Sequence, residues 1–317
     1  MAPGAAVPRR PVGGDSNGKD GPHMTTFFVG GAQRSGTTLL QGLLCSSEKT
    51  NPLIYECFLL QHIVDAYRRG RYNFDEFGPA YFNDIPAFQS FYSRVVGDYL
   101  DQTRARYAPA EHLVLKETNL TRVFHDVYDL VRDAKYIISV RDPRDVITSL
   151  IEVAEKLPER NVNKWFGGRD MKRLAGYYKG VYRSVLVAPD PTFRKNLLFV
   201  KHERLVSNPD DEVARISEFT GFPLSPEDGE AAWKRNEWDF DGMERFKITG
   251  WRSELWGKQM STKNIGKFRG KLTDEELAIL AEELSDVYHI FGYGDDDPAQ
   301  ATATFAAPHK ATPTAQL

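Results

Sequence analysis

The run FFVGGAQRSGTTLL at residues 27–40 constrains this chain more than any other. A short apolar stretch stops at Gly30 and Gly31, a polar loop follows, and apolar residues resume at Leu39. Such a run reads as a buried strand over Thr25–Val29 that turns through glycines into a helix over Thr37–Cys45. Backbone N–H groups at the start of that helix converge on an anion, and the helix dipole adds to the attraction. Gly31 and Gly36 permit the tight turn and close backbone approach. Ser35 lies between them in the loop, and Thr37 and Thr38 add hydroxyl donors. The Gly31 to Gly36 spacing is that of an ATP-binding P-loop, but Thr37 stands where such a loop needs Lys. The cation sits inside the loop instead, as Arg34. A kinase depends on that Lys at the β/γ-phosphates. This loop suits a shorter 5′-phosphate chain, with Arg34 at its reacting end.

Three more short apolar runs follow, at His112–Leu115, Tyr136–Val140 and Asn196–Val200, each with polar residues after it. Strands alternating with helical patterns predict the α/β class. The expected architecture is a P-loop-containing three-layer α/β/α sandwich around a central parallel sheet, with helical insertions forming the acceptor side. Ser207-Asn208-Pro209 opens one helix, which Gly221 ends. Thr273 and Glu276 have the spacing of a capping box. The aromatics between 55 and 110 read mostly as core, with a minority lining an acceptor pocket. Residues 152–185 read as an insertion, broken by Pro158, Gly167 and Gly168, whose Tyr177, Tyr178 and Tyr182 predict a helical flap over the site. Residues 1–24 read as a disordered leader, 25–294 as one domain, and 295–317 as a flexible tail.

A net charge of −3 offers nucleic acid no general attraction, so an anion site must be built locally. No apolar run approaches the roughly 18 residues of a membrane span. Arg9 and Arg10 are not followed by the apolar core of a secretory signal. Two cysteines in so long a chain suit a reduced, cytoplasmic protein.

Four segments in order resemble the sulfotransferases that use 3′-phosphoadenosine 5′-phosphosulfate (PAPS). The first is Arg34-Ser35-Gly36-Thr37-Thr38. The second is ISVRDPRDVITSL, a strand leading into Arg141, with Ser149 eight positions later. The third is VKHERLVSNPDDEVARISEFTGFPL, with His202 where the family usually has Tyr. The fourth, STKNIGKFRGKLTDEEL, resembles the basic loop that closes over the cofactor, through Lys267 especially. The resemblance spans about residues 25–285 and implies transfer of a sulfuryl group from PAPS, leaving adenosine 3′,5′-bisphosphate. It places the 5′-phosphosulfate on the loop and the 3′-phosphate on Arg141 and Ser149. Arg132 and Arg144 read as solvated charges.

Sulfuryl transfer resembles phosphoryl transfer, whose loose transition state is served by positioning and charge stabilisation. It needs a cation on the leaving oxygen, a cation on the sulfuryl oxygens and a base for the acceptor proton. This design requires no metal, and no metal-ligand spacing is present in the sequence. Arg34 suits the first role. Lys116, after the second predicted strand, suits the second. Cytosolic members follow this Lys with Thr-His, the His being the base, whereas this chain has Glu117-Thr118. The bases left are Glu56, Glu117, His62 and His125. The loop also resembles that of protein-tyrosine sulfotransferases, whose catalytic Glu lies at nearly the distance of Glu56 beyond Arg34, and Glu56 is preferred. The acceptor expected is a small molecule, natural product or glycan, with a P-loop kinase or a protein-tyrosine sulfotransferase as the alternatives. Arg34, Lys116, Arg141 and Ser149 together speak against a scaffold without chemistry.

Overall fold

The computed structural model describes residues 24–156, 167–227 and 260–293. Four strands form one sheet: β1 (Thr26–Gly31), β2 (Leu113–Lys116), β3 (Lys135–Val140) and β4 (Leu197–Lys201). Their order is β2-β1-β3-β4, and every pairing is parallel. Each matches a run predicted from the sequence. β1 continues to Gly31 because Gly30 and Gly31 pair with Ile138 and Ser139.

Helices follow the strands. They are α1 (Thr37–Leu44), α2 (Phe58–Tyr72), α3 (Phe74–Phe77), α4 (Ile85–Arg106), α5 (Phe124–Leu130), α6 (Pro143–Lys156) and α7 (Met171–Val187). After these come α8 (Pro191–Lys195), α9 (His202–Ser207), α10 (Pro209–Thr220), α11 (Asp274–Glu283) and α12 (Ser285–Phe291). Alternation along β1 splits the core in two. Phe27 and Val29 pack with Leu40 and Leu43 of α1 and Val213 and Ile216 of α10. Phe28 faces the other way, into a larger cluster with Tyr136, Phe124, Leu150 and Tyr182. Apolar residues on both faces of each strand require this double cover.

The chain runs from β1 to β2 on one side and then crosses to β3 on the other. The gap between β1 and β3 is therefore a topological switch point, and open α/β sheets bind ligands beyond the carboxyl ends of the strands there. Both the glycine loop after β1 and Arg141 after β3 lie at that edge.

Several local expectations are met. Helix α10 starts at Pro209 and stops before Gly221, which takes a left-handed conformation. Thr273 and Glu276 form both bonds of the capping box. Tyr67, Phe74 and Phe88 pack in the core, while Tyr72, Phe77 and Tyr81 are exposed. Two expectations are corrected. The described part of the 152–185 segment is not a flap: in α7, Leu174, Tyr178 and Tyr182 are fully buried. Arg144 is not a solvated charge either, because it donates from two nitrogens to Asp142 and its guanidinium lies 4.1 Å from the Phe268 ring centre. Pro158, residues 1–23 of the leader and the tail 295–317 lie outside the described residues. Cys45 and Cys57 are buried and form no disulfide. Among the described residues, no helix is long and apolar enough to cross a membrane.

Candidate active site

The loop between β1 and α1 is held by side chains from the large core. Gly31 N–H donates to Thr121 Oγ1 at 2.8 Å, Ala32 N–H to the Tyr182 hydroxyl at 3.0 Å and Gln33 N–H to the Tyr177 hydroxyl at 3.1 Å. The Ser139 hydroxyl donates to Ser35 O. Gly31 has φ 133°, and a Cβ there would lie 2.4 Å from the backbone oxygen of Ser139. Arg34 is the one described non-glycine residue with positive φ, at 73°. Such backbone costs about 1–3 kcal/mol and persists where surrounding structure over-determines it. The N–H groups of Gly36, Thr37 and Thr38 meet no acceptor among the described residues. These are the orphan donors of a helix start, disposed for an anion.

Two clusters of side chains flank this loop. On the β2 side, Lys116 Nζ lies 3.0 Å from Glu56 Oε1 and 3.2 Å from Thr38 Oγ1. The segment carrying Glu56 is tied to the sheet edge. Asn51 bonds both the N–H and the C=O of Val114, Gln41 donates to Ile54 O, and Cys57 N–H donates to Lys116 O. Lys116 is buried, and Glu56 keeps about a quarter of its side chain exposed. Glu117 points elsewhere: it is buried, its Oε1 accepts Asn119 N–H, and Oε2 has no partner among the described residues. Burial first, and the nearby Glu56 second, push its carboxyl up to about 7.

On the β3 side, Arg34 Nε donates to Ser149 Oγ at 2.9 Å, and Arg141 Nη1 donates to the backbone oxygen of Arg34 at 3.1 Å. Sequence reasoning put Arg34 at the reacting end and Ser149 at the far end of a nucleotide. In the structure the Arg34 guanidinium rests on Ser149. Burial and the Arg141 charge bring it down to about 10, so it stays a cation. The Nε of Arg141 is buried without a partner among the described residues. His202 packs over the loop–helix junction, where a Cβ on Gly36 would come 2.6 Å from its Nδ1. Burial and Arg141 push this imidazole down to about 3, which keeps it neutral. Lys267 pairs with Glu152 at 2.5 Å. Arg141, Asp145, Ser149 and Glu152 recur at spacings of four, four and three, so they share one face of α6 and its approach.

The structure thus brings Arg34, Ser35, Gly36, Thr37, Thr38, Arg141, Ser149 and His202 to one sheet edge, with Lys116 and Glu56 beside the same loop. It does not bring His62 or His125 there: His62 is exposed on α2, and His125 packs edge-on against Phe193. Sequence reasoning missed the tyrosine hydroxyls that hold the loop, the amides of Asn51 and Gln41, and Glu152. For Glu152 the i, i+3 step from Ser149 was the available signal. Among the described residues, no group of three or more His, Cys, Asp or Glu could hold a metal ion.

Orphaned N–H groups at a helix start, an unpartnered buried guanidinium nitrogen and a neutral imidazole above them fit a nucleotide with phosphates at both ends. Comparison with known proteins gives the family and the fold. A "Putative protein-tyrosine sulfotransferase" of Caenorhabditis briggsae is 26 % identical over 213 residues, 63 % of this chain and 66 % of that protein. The chain thus spans just under two thirds of that relative's length. The sulfotransferase domain of the Synechococcus PCC 7002 olefin synthase superposes with a TM-score of 0.50 at 21 % identity, over 84 % of this chain and 97 % of its own. A sulfotransferase domain from the curacin biosynthetic pathway gives 0.51 at 16 % identity, over 84 % and 99 %. At such identities these two show the fold. A profile of the sulfotransferase family matches residues 26–226. The chain belongs to the sulfotransferase family, whose general reaction is transfer of the sulfuryl group of PAPS to an acceptor.

Proposed function

We propose that this chain transfers the sulfuryl group of PAPS to a hydroxyl or amine of a small-molecule, natural-product or glycan acceptor, with Glu56 as the base. The observation that carries the reading is the Glu56–Lys116–Thr38 cluster, which sets a carboxylate and an ammonium against the anion loop. Bound PAPS supplies the sulfuryl group and a bisphosphate leaving group. The N–H groups of Gly36, Thr37 and Thr38, with the side chains of Ser35 and Thr38, would hold its 5′ end. Arg141 and Ser149 would hold the 3′-phosphate, with His202 over the nucleotide and Lys267 closing the site. The Lys116 ammonium, in reach of both Glu56 and Thr38, stabilises charge on the oxygens of the group in flight. Arg34 would have to turn from Ser149, which its Nε now bonds, to meet the leaving oxygen. Glu56 takes the acceptor proton, and its partly exposed carboxylate is open to that acceptor.

The acceptor approaches past Tyr55 and Phe58, whose rings lie 5.6 Å apart on either side of Glu56 in the chain. That favours an acceptor with apolar surface beside its nucleophile. A tyrosine side chain has such a surface, and the similarity to the Caenorhabditis protein keeps protein-tyrosine sulfation as the second reading. The two cysteines without a disulfide suit a cytoplasmic setting. Three measurements test the proposal: calorimetric titration with adenosine 3′,5′-bisphosphate, titration with ATP with and without Mg²⁺, and an acceptor screen with labelled PAPS read by product mass. The bisphosphate is expected to bind at least tenfold tighter than ATP, with no metal added. A preference for Mg-ATP would overturn the reading.

A further inference from the structure

Asp145 lies four residues beyond Arg141 on α6 and is fully buried. Its carboxylate serves the last described stretch of the chain, residues 260–293. Oδ2 accepts the N–H of Gly266 at 2.8 Å, and Oδ1 accepts the N–H of Phe268 at 3.0 Å. The same Oδ2 stands 3.5 Å from Arg141 Nη2, and that nitrogen donates to the backbone oxygen of Asn264 at 2.5 Å. Arg141 and the Asn264–Phe268 segment are therefore joined twice, directly and through Asp145. Phe268 is itself buried beneath the Arg144 guanidinium.

An anion beside a cation that must grip a phosphate opposes that phosphate by simple Coulomb repulsion. Net neutralisation is thus a poor account of Asp145. Its geometry gives a better one, since both oxygens are spent on fixing backbone N–H groups in place while one of them also orients a guanidinium. Building on the nucleotide site proposed above, we infer that Asp145 is a positioning residue that assembles the 3′-phosphate end of that site. It aims the Arg141 guanidinium and clamps the Asn264–Phe268 backbone against it, so that recognition of a 3′-phosphorylated nucleotide depends on a carboxylate that need not touch the ligand.

The test compares two nucleotides on the full chain. For Asp145→Asn, affinity for adenosine 3′,5′-bisphosphate is expected to fall at least tenfold, while affinity for adenosine 5′-phosphate changes less than twofold. Asn cannot accept both N–H groups, because its amide nitrogen faces one of them. Asp145→Glu keeps the charge but misplaces it, and the same selective loss is expected to a smaller degree. Tighter bisphosphate binding by Asp145→Asn would show simple neutralisation and overturn the inference. Equal losses for both nucleotides, or none, would overturn it as well. Hydrogen exchange on the unmutated chain is a separate check should either variant not fold: the amides of Gly266 and Phe268 are expected to be protected, and fast exchange there sinks the clamp. If the unmutated chain itself shows no preference for the bisphosphate over adenosine 5′-phosphate, the nucleotide site fails. If that preference survives in Asp145→Asn, only the role of Asp145 fails.

Discussion

Two carboxylates follow one another around Lys116, and their surroundings give them different work. Glu56 is paired with the ammonium and open to solvent, whereas Glu117 is buried with one oxygen unpartnered. For Glu56→Gln the kcat is expected to fall by about 10²–10⁴-fold, the range of a general base, with bisphosphate affinity within about twofold. Steady-state rates beside calorimetry check this, and normal turnover would transfer the base to Glu117. Glu117 also marks stability. Burial, with the nearby Glu56 second, holds its carboxyl up at about 7, above the ordinary 4.5. As pH rises through that window, the unfolded chain loses its proton first, so the folded state loses stability between about 4.5 and 7 and stays lower above. Glu117→Gln is expected to be more stable than the parent at pH 8 by on the order of 1–3 kcal/mol, and about equal to it at pH 4. Urea unfolding at both pH values reads the difference. Glu203, buried and likewise pushed up to about 7, contributes a slope of the same sign. Arg34, Lys116 and Arg141 were legible in the sequence because each follows a strand or sits in the loop. Asn51, Gln41 and the clamping use of Asp145 were not, since their partners are backbone groups brought close only by the fold.

At the scale of elements, the strands were the most legible parts, because a parallel strand buried on both faces has to be an unbroken apolar run. The α7 helix was misjudged for the opposite reason. Tyrosines among charges suggest a surface flap, yet Tyr177 and Tyr182 turn their hydroxyls to the N–H groups of the phosphate loop, and Tyr182 and Tyr178 also donate to the backbone oxygens of Ser139 and Arg141. The loop is therefore held by a helix that enters the chain some 140 residues later. A loop held this way is expected to tolerate substitution poorly. Gly31→Ala places a side chain in a backbone region that favours glycine and drives its Cβ onto Ser139 O. A loss of about 2–4 kcal/mol in folding stability is expected, combining backbone strain with the clash. A denaturant midpoint unchanged from the parent would mean that the loop relaxes at little cost.

Over the whole molecule, the proposed nucleotide site draws on four stretches that are distant in sequence: the loop after β1, the start of α6, His202 after β4 and the Asn264–Phe268 segment. A ligand that bridges them binds only the folded chain and must stabilise it by mass action, by about 2.7 kcal/mol at a hundred times its dissociation constant. For a chain of this size that is a rise of roughly 4 °C in melting temperature. Adenosine 3′,5′-bisphosphate is expected to produce this shift, and EDTA to leave it unchanged, because the groups proposed to hold the phosphates are N–H donors, hydroxyls and guanidiniums. ATP, which lacks a 3′-phosphate for Arg141, is expected to give a clearly smaller shift. Arg141→Ala then provides the decisive comparison: with its guanidinium gone, the bisphosphate should stabilise the chain little more than adenosine 5′-phosphate does. An Arg141→Ala protein whose bisphosphate shift equals that of the parent would place the 3′-phosphate elsewhere, and the four stretches would no longer belong to one site.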